Sequence, residues 1–120
     1  MRIVLANEAQ AKLQAELNAL LKKYPADVLQ TTPSKMKTLI SDTEQLAYLK
    51  TLRALILGGE ALDSTLLNQL GQYTDAEIYN IYGPTETTVW STNANLFDHN
   101  KDIHIGKPIA NTQIYIVDKY

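Results

Sequence analysis

A carboxylate surrounded by hydroxyl groups lies about two-thirds of the way along the chain. Residues 80–88 read Asn-Ile-Tyr-Gly-Pro-Thr-Glu-Thr-Thr, so that Glu86 stands between Thr85 and two further threonines. Hard oxygen ligands of this kind suit a Mg²⁺ ion that is bound to phosphate. Tyr82, just before a glycine, could lie flat against a base. The alternative is a strand, a turn and a helix start with Thr85 as its cap, and spacing alone leaves both interpretations open.

Two other stretches place polar or small residues directly after an apolar run. Gly58-Gly59-Glu60-Ala61 ends such a run, and paired glycines serve either a tight turn or the close approach of a ligand to the backbone. Gln30 closes another apolar run, where it either ends a strand at the surface or points into a pocket. Neither His99 nor His104 has Cys, Asp or Glu at ligand spacing, so both are predicted to be surface residues.

The elements predicted around these residues alternate between strands and helices. Apolar, β-prone runs predict strands over residues 2–6, 27–30, 53–57, 77–82 and 113–117, and residues 89–92 are predicted to be extended. Helices are predicted to begin at the caps Asn7, Thr32 and Asp63, since apolar residues follow each of them at helical spacing. Loop and turn are predicted over residues 41–51, which include one helical turn, and over residues 96–105 and 106–108.

This alternation is typical of a three-layer α/β fold in which helices flank a mainly parallel sheet. Ligands of such sheets bind outside the carboxyl ends of the strands. Gln30, the Gly58-Gly59-Glu60 turn and Tyr82-Gly83 each follow directly on a predicted strand. We therefore predict that the three stretches meet at one edge of the sheet and form a binding site there.

The overall composition is that of an ordinary globular domain. The chain has 120 residues, 45 % of them hydrophobic and 20 % charged, which allows one domain with a modest core. A net charge of -2 gives no indication of binding to nucleic acid or to an anionic membrane. Cysteine is absent, and no apolar run is long enough for a signal peptide or a membrane span, so a cytoplasmic location is expected.

Residues 80–88 resemble, letter for letter, a core motif of the amino-acid adenylation domains of nonribosomal peptide synthetases. Residues 31–34, 57–61 and 105–109 match the same family in the same order, so the resemblance covers essentially the whole chain. It implies a flavodoxin-like subdomain that surrounds a substrate pocket. It also implies a parent enzyme that uses ATP and Mg²⁺ to convert an amino acid into aminoacyl-AMP. Pyrophosphate would leave, and the acyl group would pass to a phosphopantetheinyl carrier protein.

The resemblance also implies a role for each residue of the nucleotide site. The residues that it places around the nucleotide are Gly59, Glu60, Ala61, Asn80, Tyr82, Gly83 and Thr85. Tyr82 would stack on adenine, Asn80 would bond the exocyclic amine, and the backbone of residues 59–61 would lie beside the nucleoside. Thr85 and Glu86 would be the catalytic residues, with Thr85 on the phosphate and Glu86 as the ligand of Mg²⁺.

A second set of residues is implied to line the amino-acid pocket. Its members are Gln30, Ile56, Gly58, Ile81, Val89 and Trp90, and the set resembles the pocket signature of glycine-activating domains. Trp90 and Ile81 are bulky and none of the six side chains is ionisable, so the lining would leave little space beyond the substrate's α-carbon. The alternative for Trp90 is plain packing in the core.

Several parts of the family pattern lie outside these 120 residues: the phosphate-binding loop with its lysine, two aspartates and the catalytic lysine. The resemblance therefore implies that residues 1–120 are a single subdomain excised from a larger adenylation domain and inactive alone. Its partners would be the remainder of that domain, the carrier protein and the amino-acid substrate. The alternatives are a fragment of an acyl- or aryl-CoA ligase and a non-catalytic scaffold module that binds no nucleotide alone.

Overall fold

The computed structural model describes residues 3–96 and 102–118. Its centre is a five-stranded sheet with the strand order β1-β2-β3-β4-β5. The strands are β1 (Val28–Thr31), β2 (Ala54–Gly58), β3 (Glu77–Tyr82), β4 (Thr92–Asn95) and β5 (Lys107–Pro108). The first three strands run parallel, whereas β4 pairs antiparallel with β3 and β5 pairs antiparallel with β4.

Within the described residues, four α-helices and two 3₁₀ helices lie between the strands or before them. The α-helices are α1 (Glu8–Lys12), α2 (Gln14–Lys23), α3 (Pro33–Ile40) and α4 (Ser64–Tyr73). The 3₁₀ helices span Thr43–Thr51 and Thr85–Thr87. The prediction of an α/β fold with a mainly parallel sheet flanked by helices is confirmed.

The three predicted helix starts are confirmed because each cap satisfies a backbone N–H group that the first turn leaves unpaired. The side chain of Asn7 accepts a hydrogen bond from the Gln10 N–H group, and the side-chain oxygen of Gln10 accepts one from the Asn7 N–H group. Thr32 accepts from the Lys35 N–H group at 3.3 Å, with proline at the first helical position. Asp63 accepts from the Leu66 N–H group at 2.8 Å.

The helix predicted from Asn7 onward is wrong in one respect, since it is two helices. Leu13 separates α1 from α2 with extended backbone angles, φ -95° and ψ 123°. No residue of α1 is buried, whereas α2 buries Asn18 and Leu21. Packing against the core therefore stabilises α2, whereas α1 has no buried residue that would keep it in line with α2.

The strands predicted at residues 2–6 and 113–117 are also wrong within the described part of the chain. Residues 3–6 and 113–117 form no ladder there, and Leu5 and Ile116 are 86 % and 101 % exposed. An apolar, β-prone run needs a neighbouring strand to pair its backbone groups, and no described strand lies beside these residues.

For three shorter segments the structure also differs from the prediction. Of the extended run predicted over residues 89–92, only Thr92 belongs to a strand, and Thr88 before it has a positive φ of 81°. The turn predicted at residues 106–108 contains β5, which pairs with β4. The segment predicted as loop over residues 41–51 is largely the 3₁₀ helix Thr43–Thr51.

The two faces of the parallel strands differ sharply in burial, because successive side chains of a strand point to opposite faces. On the helix face, Leu55, Leu57 and Ile78 are 0 % exposed and pack in the core with leucines of α3 and α4. Each such buried side chain contributes roughly 1.5–3 kcal/mol relative to an exposed one. The opposite face, here called the open face, carries Val28, Gln30, Ala54, Ile56, Gly58, Glu77, Tyr79 and Ile81. Most of these residues are exposed or only partly buried.

Candidate functional site

A cavity of about 610 Å³ lies where β2 and β3 end. Its walls are residues 59–62, 80–85 and 103–105. All seven residues of the implied nucleotide set line this one cavity, so the predicted meeting of the glycine and tyrosine stretches at one edge is confirmed. Cavities of this size suit small molecules and cofactors.

The Thr31–Ser34 stretch also reaches this edge. Gly59 has φ +83°, a left-handed conformation that favours glycine, and an added Cβ there would lie 3.8 Å from Thr32 Cγ2. Ser34 donates two hydrogen bonds to the carboxylate of Glu60, from its backbone N–H group at 3.0 Å and from its hydroxyl at 2.5 Å. The hydroxyl bond is the main reason why the pKa of Glu60 lies below its usual value.

Asn80 holds the third wall of the cavity in place. Its side chain is 6 % exposed, and its Nδ2 donates to the backbone carbonyl of His104 at 2.9 Å. With the amide nitrogen held in this way, the side-chain oxygen is the atom that can accept from a ligand. The structure therefore joins β3 to residues 103–105, and it gives Asn80 the acceptor that an exocyclic amine requires.

The contribution of Ile103 and His104 to the site was missed by the sequence analysis. Their part in the cavity wall depends on a backbone carbonyl, which every residue has, so the residue types could not indicate it. The only hint in the sequence was the family match that begins at the next residue, Ile105. The His104 side chain is exposed, as predicted, although its carbonyl takes part in the site. His99 lies outside the described residues.

Tyr82 and the turn that follows it present groups to the open end of the cavity. Tyr82 is the last residue of β3 and is 46 % exposed, so part of its ring is available to a planar ligand. The 3₁₀ turn Thr85–Thr87 is closed by the Thr87 N–H and hydroxyl groups, which both donate to the Pro84 carbonyl. The Thr87 hydroxyl also accepts a bond from Ser91 at 2.6 Å, so its role is structural.

Thr85 and Glu86 are exposed, as Thr87 is, but they differ from Thr87 in their hydrogen bonds. Neither makes a side-chain hydrogen bond to any residue within 3–96 or 102–118. The interpretation of Thr85 as a helix cap is wrong, since the turn begins at Thr85 itself and has no side-chain cap. Thr85 lines the cavity, and Glu86 is the next residue on the same turn.

The donor set around Glu86 bears on the metal that the resemblance implies. The described residues contain no group of three or more His, Cys, Asp or Glu side chains that could hold a metal ion. Mg²⁺ commonly uses only one or two carboxylates together with water and substrate phosphates. A single exposed carboxylate beside the cavity therefore fits a Mg²⁺ ion that arrives with a nucleotide.

The implied amino-acid pocket lies mainly on the open face of the sheet. Gln30 pairs with Ile56, and Gly58 pairs with Ile81, so the four residues form two adjacent rows. An added Cβ at Gly58 would lie 3.1 Å from Trp90 Cη2, which places the indole next to Gly58 on this face. Trp90 is only partly buried and is not among the core residues, so the structure gives no support to plain core packing. Val89 is 55 % exposed.

Comparison with known proteins decides the family. All 120 residues match the model of a protein family described as "AMP-binding enzyme". The chain belongs to this family. It is 39 % identical over 118 residues to a dimodular nonribosomal peptide synthase of Bacillus subtilis (strain 168), covering 98 % of the chain and 5 % of that protein. It is 32 % identical over 123 residues to an indigoidine synthase of Dickeya dadantii (strain 3937), covering 98 % of the chain and 8 % of that protein.

Solved structures give the same result. A four-domain nonribosomal peptide synthetase bound to AMP and glycine superposes with a TM-score of 0.81 at 34 % identity, covering 95 % of this AMP-binding chain and 8 % of that one. A synthetase protein with adenylation and PCP domains superposes with a TM-score of 0.75 at 30 % identity, covering 88 % of this chain and 22 % of that one. The resemblance to synthetase adenylation domains is confirmed, and the chain spans a small fraction of the length of these relatives.

Every helix of this AMP-binding chain within residues 3–96 and 102–118 is too short or too polar to cross a membrane.

Proposed function

We propose that the chain is the substrate-pocket subdomain of an amino-acid adenylation domain in a larger nonribosomal peptide synthetase, here called the parent. The parent forms aminoacyl-AMP from an amino acid and Mg-ATP and loads the acyl group onto a carrier protein. The observation that carries this proposal is the cavity lined by all seven residues of the implied nucleotide set. The similarity to nonribosomal peptide synthetases favours this function over a CoA ligase.

The nucleotide occupies the cavity at the ends of β2 and β3. Tyr82 stacks on the adenine ring with its exposed part, and Asn80 accepts from the exocyclic amine while the His104 carbonyl holds its amide nitrogen. Thr85 donates its unengaged hydroxyl to a phosphate oxygen. Glu86 supplies a carboxylate oxygen to Mg²⁺, which when bound neutralises charge on the phosphates.

The amino acid occupies the open face, beside Gln30, Ile56, Gly58, Ile81 and Trp90. Asn80 and Tyr82 belong to one face of β3, whereas Ile81 between them belongs to the other. Consecutive residues of a strand are only about 3.3 Å apart along its axis, so the two ligands would meet around the end of this strand. Such a meeting is what the attack of a substrate carboxylate on the α-phosphate requires, since reacting atoms must come within about 3.5 Å.

Pyrophosphate exchange tests the proposed function. We expect the parent to catalyse exchange that depends on an amino acid, whereas the 120-residue chain alone shows none at a useful rate. The chain lacks the family's lysines, which stabilise charge developing on the phosphates, and the family's aspartates, which hold the substrate ammonium and the ribose. A parent that forms acyl-CoA but supports no amino-acid-dependent exchange would favour the ligase alternative. If calorimetry with Mg-ATP detects no binding by the parent, the scaffold alternative is favoured.

Glycine is the proposed substrate. A pocket gains only about 1–3 kcal/mol from one methyl group, so glycine has to be selected over alanine by steric exclusion rather than by attraction. Trp90, whose indole lies next to Gly58, is suited to that exclusion. A similar solved structure holds AMP and glycine, which supports the proposal by analogy.

Truncation of Trp90 tests the selectivity. In the parent, Trp90→Ala is expected to raise the kcat/KM of alanine relative to that of glycine by about tenfold or more, because the removed indole vacates space for a methyl group. Exchange measured with glycine, alanine and serine gives the ratio. Tyr115→Ala is the matched control, because Tyr115 is 76 % exposed and lies far along the chain from the pocket residues. A wild type that prefers a large side chain, or an unchanged ratio, would show that the glycine assignment is wrong.

A further inference from the structure

We propose that Glu60 is a positioning residue whose carboxylate ties the wall formed by residues 59–61 to the start of α3, without contacting the nucleotide. This inference rests on the proposed function only in taking the cavity as the nucleotide site. The resemblance groups Glu60 with the ligand-contacting residues, whereas the geometry gives its side chain another partner.

That partner is Ser34, which lies 26 residues earlier in the chain. Glu60 Oε2 accepts from both the backbone N–H group and the hydroxyl of Ser34, at 3.0 and 2.5 Å. The N–H group belongs to the first turn of α3, where backbone donors have no partner inside the helix and a negative charge is favoured. Hydrogen bonds to an ionised acceptor are about twice as strong as neutral ones. The Glu60 side chain is therefore already engaged by α3.

A second tie holds the other end of the same loop. Lys37 Nζ, one turn further along α3, lies 2.5 Å from Asp63 Oδ2. Asp63 in turn caps α4 through the Leu66 N–H group, at 2.8 Å. Helix α3 thus holds the segment between β2 and α4 at two points. The first of them, at Glu60, lies within the cavity wall.

The segment between the two ties depends on them for its position. Gly59 has a positive φ, and residues 59–61 are exposed and belong to no helix or strand. Few packing contacts therefore restrict these residues, and such segments open at low free-energy cost. Removal of the Glu60 tie should leave the wall mobile. Nucleotide binding would then weaken, while groups that act on the phosphates, such as Thr85, would keep their places.

The test uses kinetics in the parent. Glu60→Gln is expected to raise the KM for ATP about tenfold, because the negative charge that strengthens both hydrogen bonds from Ser34 is lost, and to change kcat less than twofold. Ser34→Ala, which keeps the N–H donor, should raise the same KM by about threefold, and Ser34→Thr, which keeps the hydroxyl, should stay within twofold of wild type. The double variant Glu60→Gln with Ser34→Ala should raise the KM by less than the product of the two single effects, since both changes act on the same hydrogen bonds. Glu77→Gln is the matched control, because Glu77 also accepts from a hydroxyl, that of Tyr79, but on the open face.

Two kinetic outcomes would overturn the proposal. If Glu60→Gln raises the KM for ATP while Ser34→Ala leaves it unchanged, or if the two effects add, Glu60 contacts the nucleotide directly. If Glu60→Gln lowers only the melting temperature and leaves both kinetic constants unchanged, its role is merely structural.

A second measurement does not depend on activity. It can therefore test this proposal even if the parent shows no pyrophosphate exchange and the proposed function fails. Limited proteolysis within residues 59–62 is expected to speed up in both Glu60→Gln and Ser34→Ala, and to stay unchanged in Glu77→Gln. An unchanged rate of cleavage within residues 59–62 in Glu60→Gln would overturn the proposal, whatever the parent's activity.

Discussion

Replacement of Glu86 by glutamine in the parent is expected to lower amino-acid-dependent pyrophosphate exchange about 100-fold or more, which corresponds to about 2.7 kcal/mol of transition-state stabilisation. A neutral amide is a weaker ligand than a carboxylate for a hard cation, and the charge opposite Mg²⁺ is lost. The melting temperature should change little, because Glu86 is exposed and makes no side-chain hydrogen bond within the described residues.

Two further measurements make the Glu86 prediction specific. The Mg²⁺ concentration at half-maximal rate should rise in Glu86→Gln, since the metal loses a ligand. Glu16→Gln is the matched control, because Glu16 is an exposed carboxylate on α2 that is not part of the cavity wall. Unchanged metal dependence together with a collapse in thermal stability would show instead that Glu86 is a structural residue.

The sequence correctly predicted those parts of the fold that depend on contacts between residues close together in the chain. The caps at Asn7, Thr32 and Asp63 could be read because a capping bond joins residues only three positions apart. The helix break at Leu13 and the lack of a strand at residues 113–117 could not be predicted in the same way. Whether a helix continues, or an apolar run becomes a strand, depends on which other elements pack beside it.

The parts of the site that follow from the sheet topology could be predicted from the sequence. Parallel strands end at one edge, so the meeting of Gly59 with Tyr82 and Gly83 followed from the strand pattern. The bond from Asn80 to the His104 carbonyl and the bonds from Ser34 to Glu60 join residues 24 and 26 positions apart. Such contacts are set by tertiary packing and leave no spacing pattern in the sequence.

Gly83 lies directly against the backbone of Val89 and Trp90, and Gly83→Ala should therefore be the most damaging small substitution in the motif. An added Cβ would lie 2.0 Å from the Val89 carbonyl oxygen and 2.6 Å from Trp90 Cα. These are backbone atoms, which cannot turn aside as a flexible side chain can. The segment that carries Val89 and Trp90 would have to move away from β3, and the cavity wall at Gly83 would move with it.

Overpacking of this kind costs typically 1–3 kcal/mol, which lowers the melting temperature by roughly 4–8 °C for each kcal/mol in a small domain. Thermal unfolding followed by circular dichroism measures the change. Gly71→Ala is the matched control, because Gly71 lies on the exposed side of α4, where alanine is favoured over glycine by roughly 0.5–1 kcal/mol. The two glycine-to-alanine changes should thus shift the melting temperature in opposite directions. If both variants are stabilised, the chain at Val89 and Trp90 does not approach Gly83 as closely as described, and the link between the cavity and the open face is wrong.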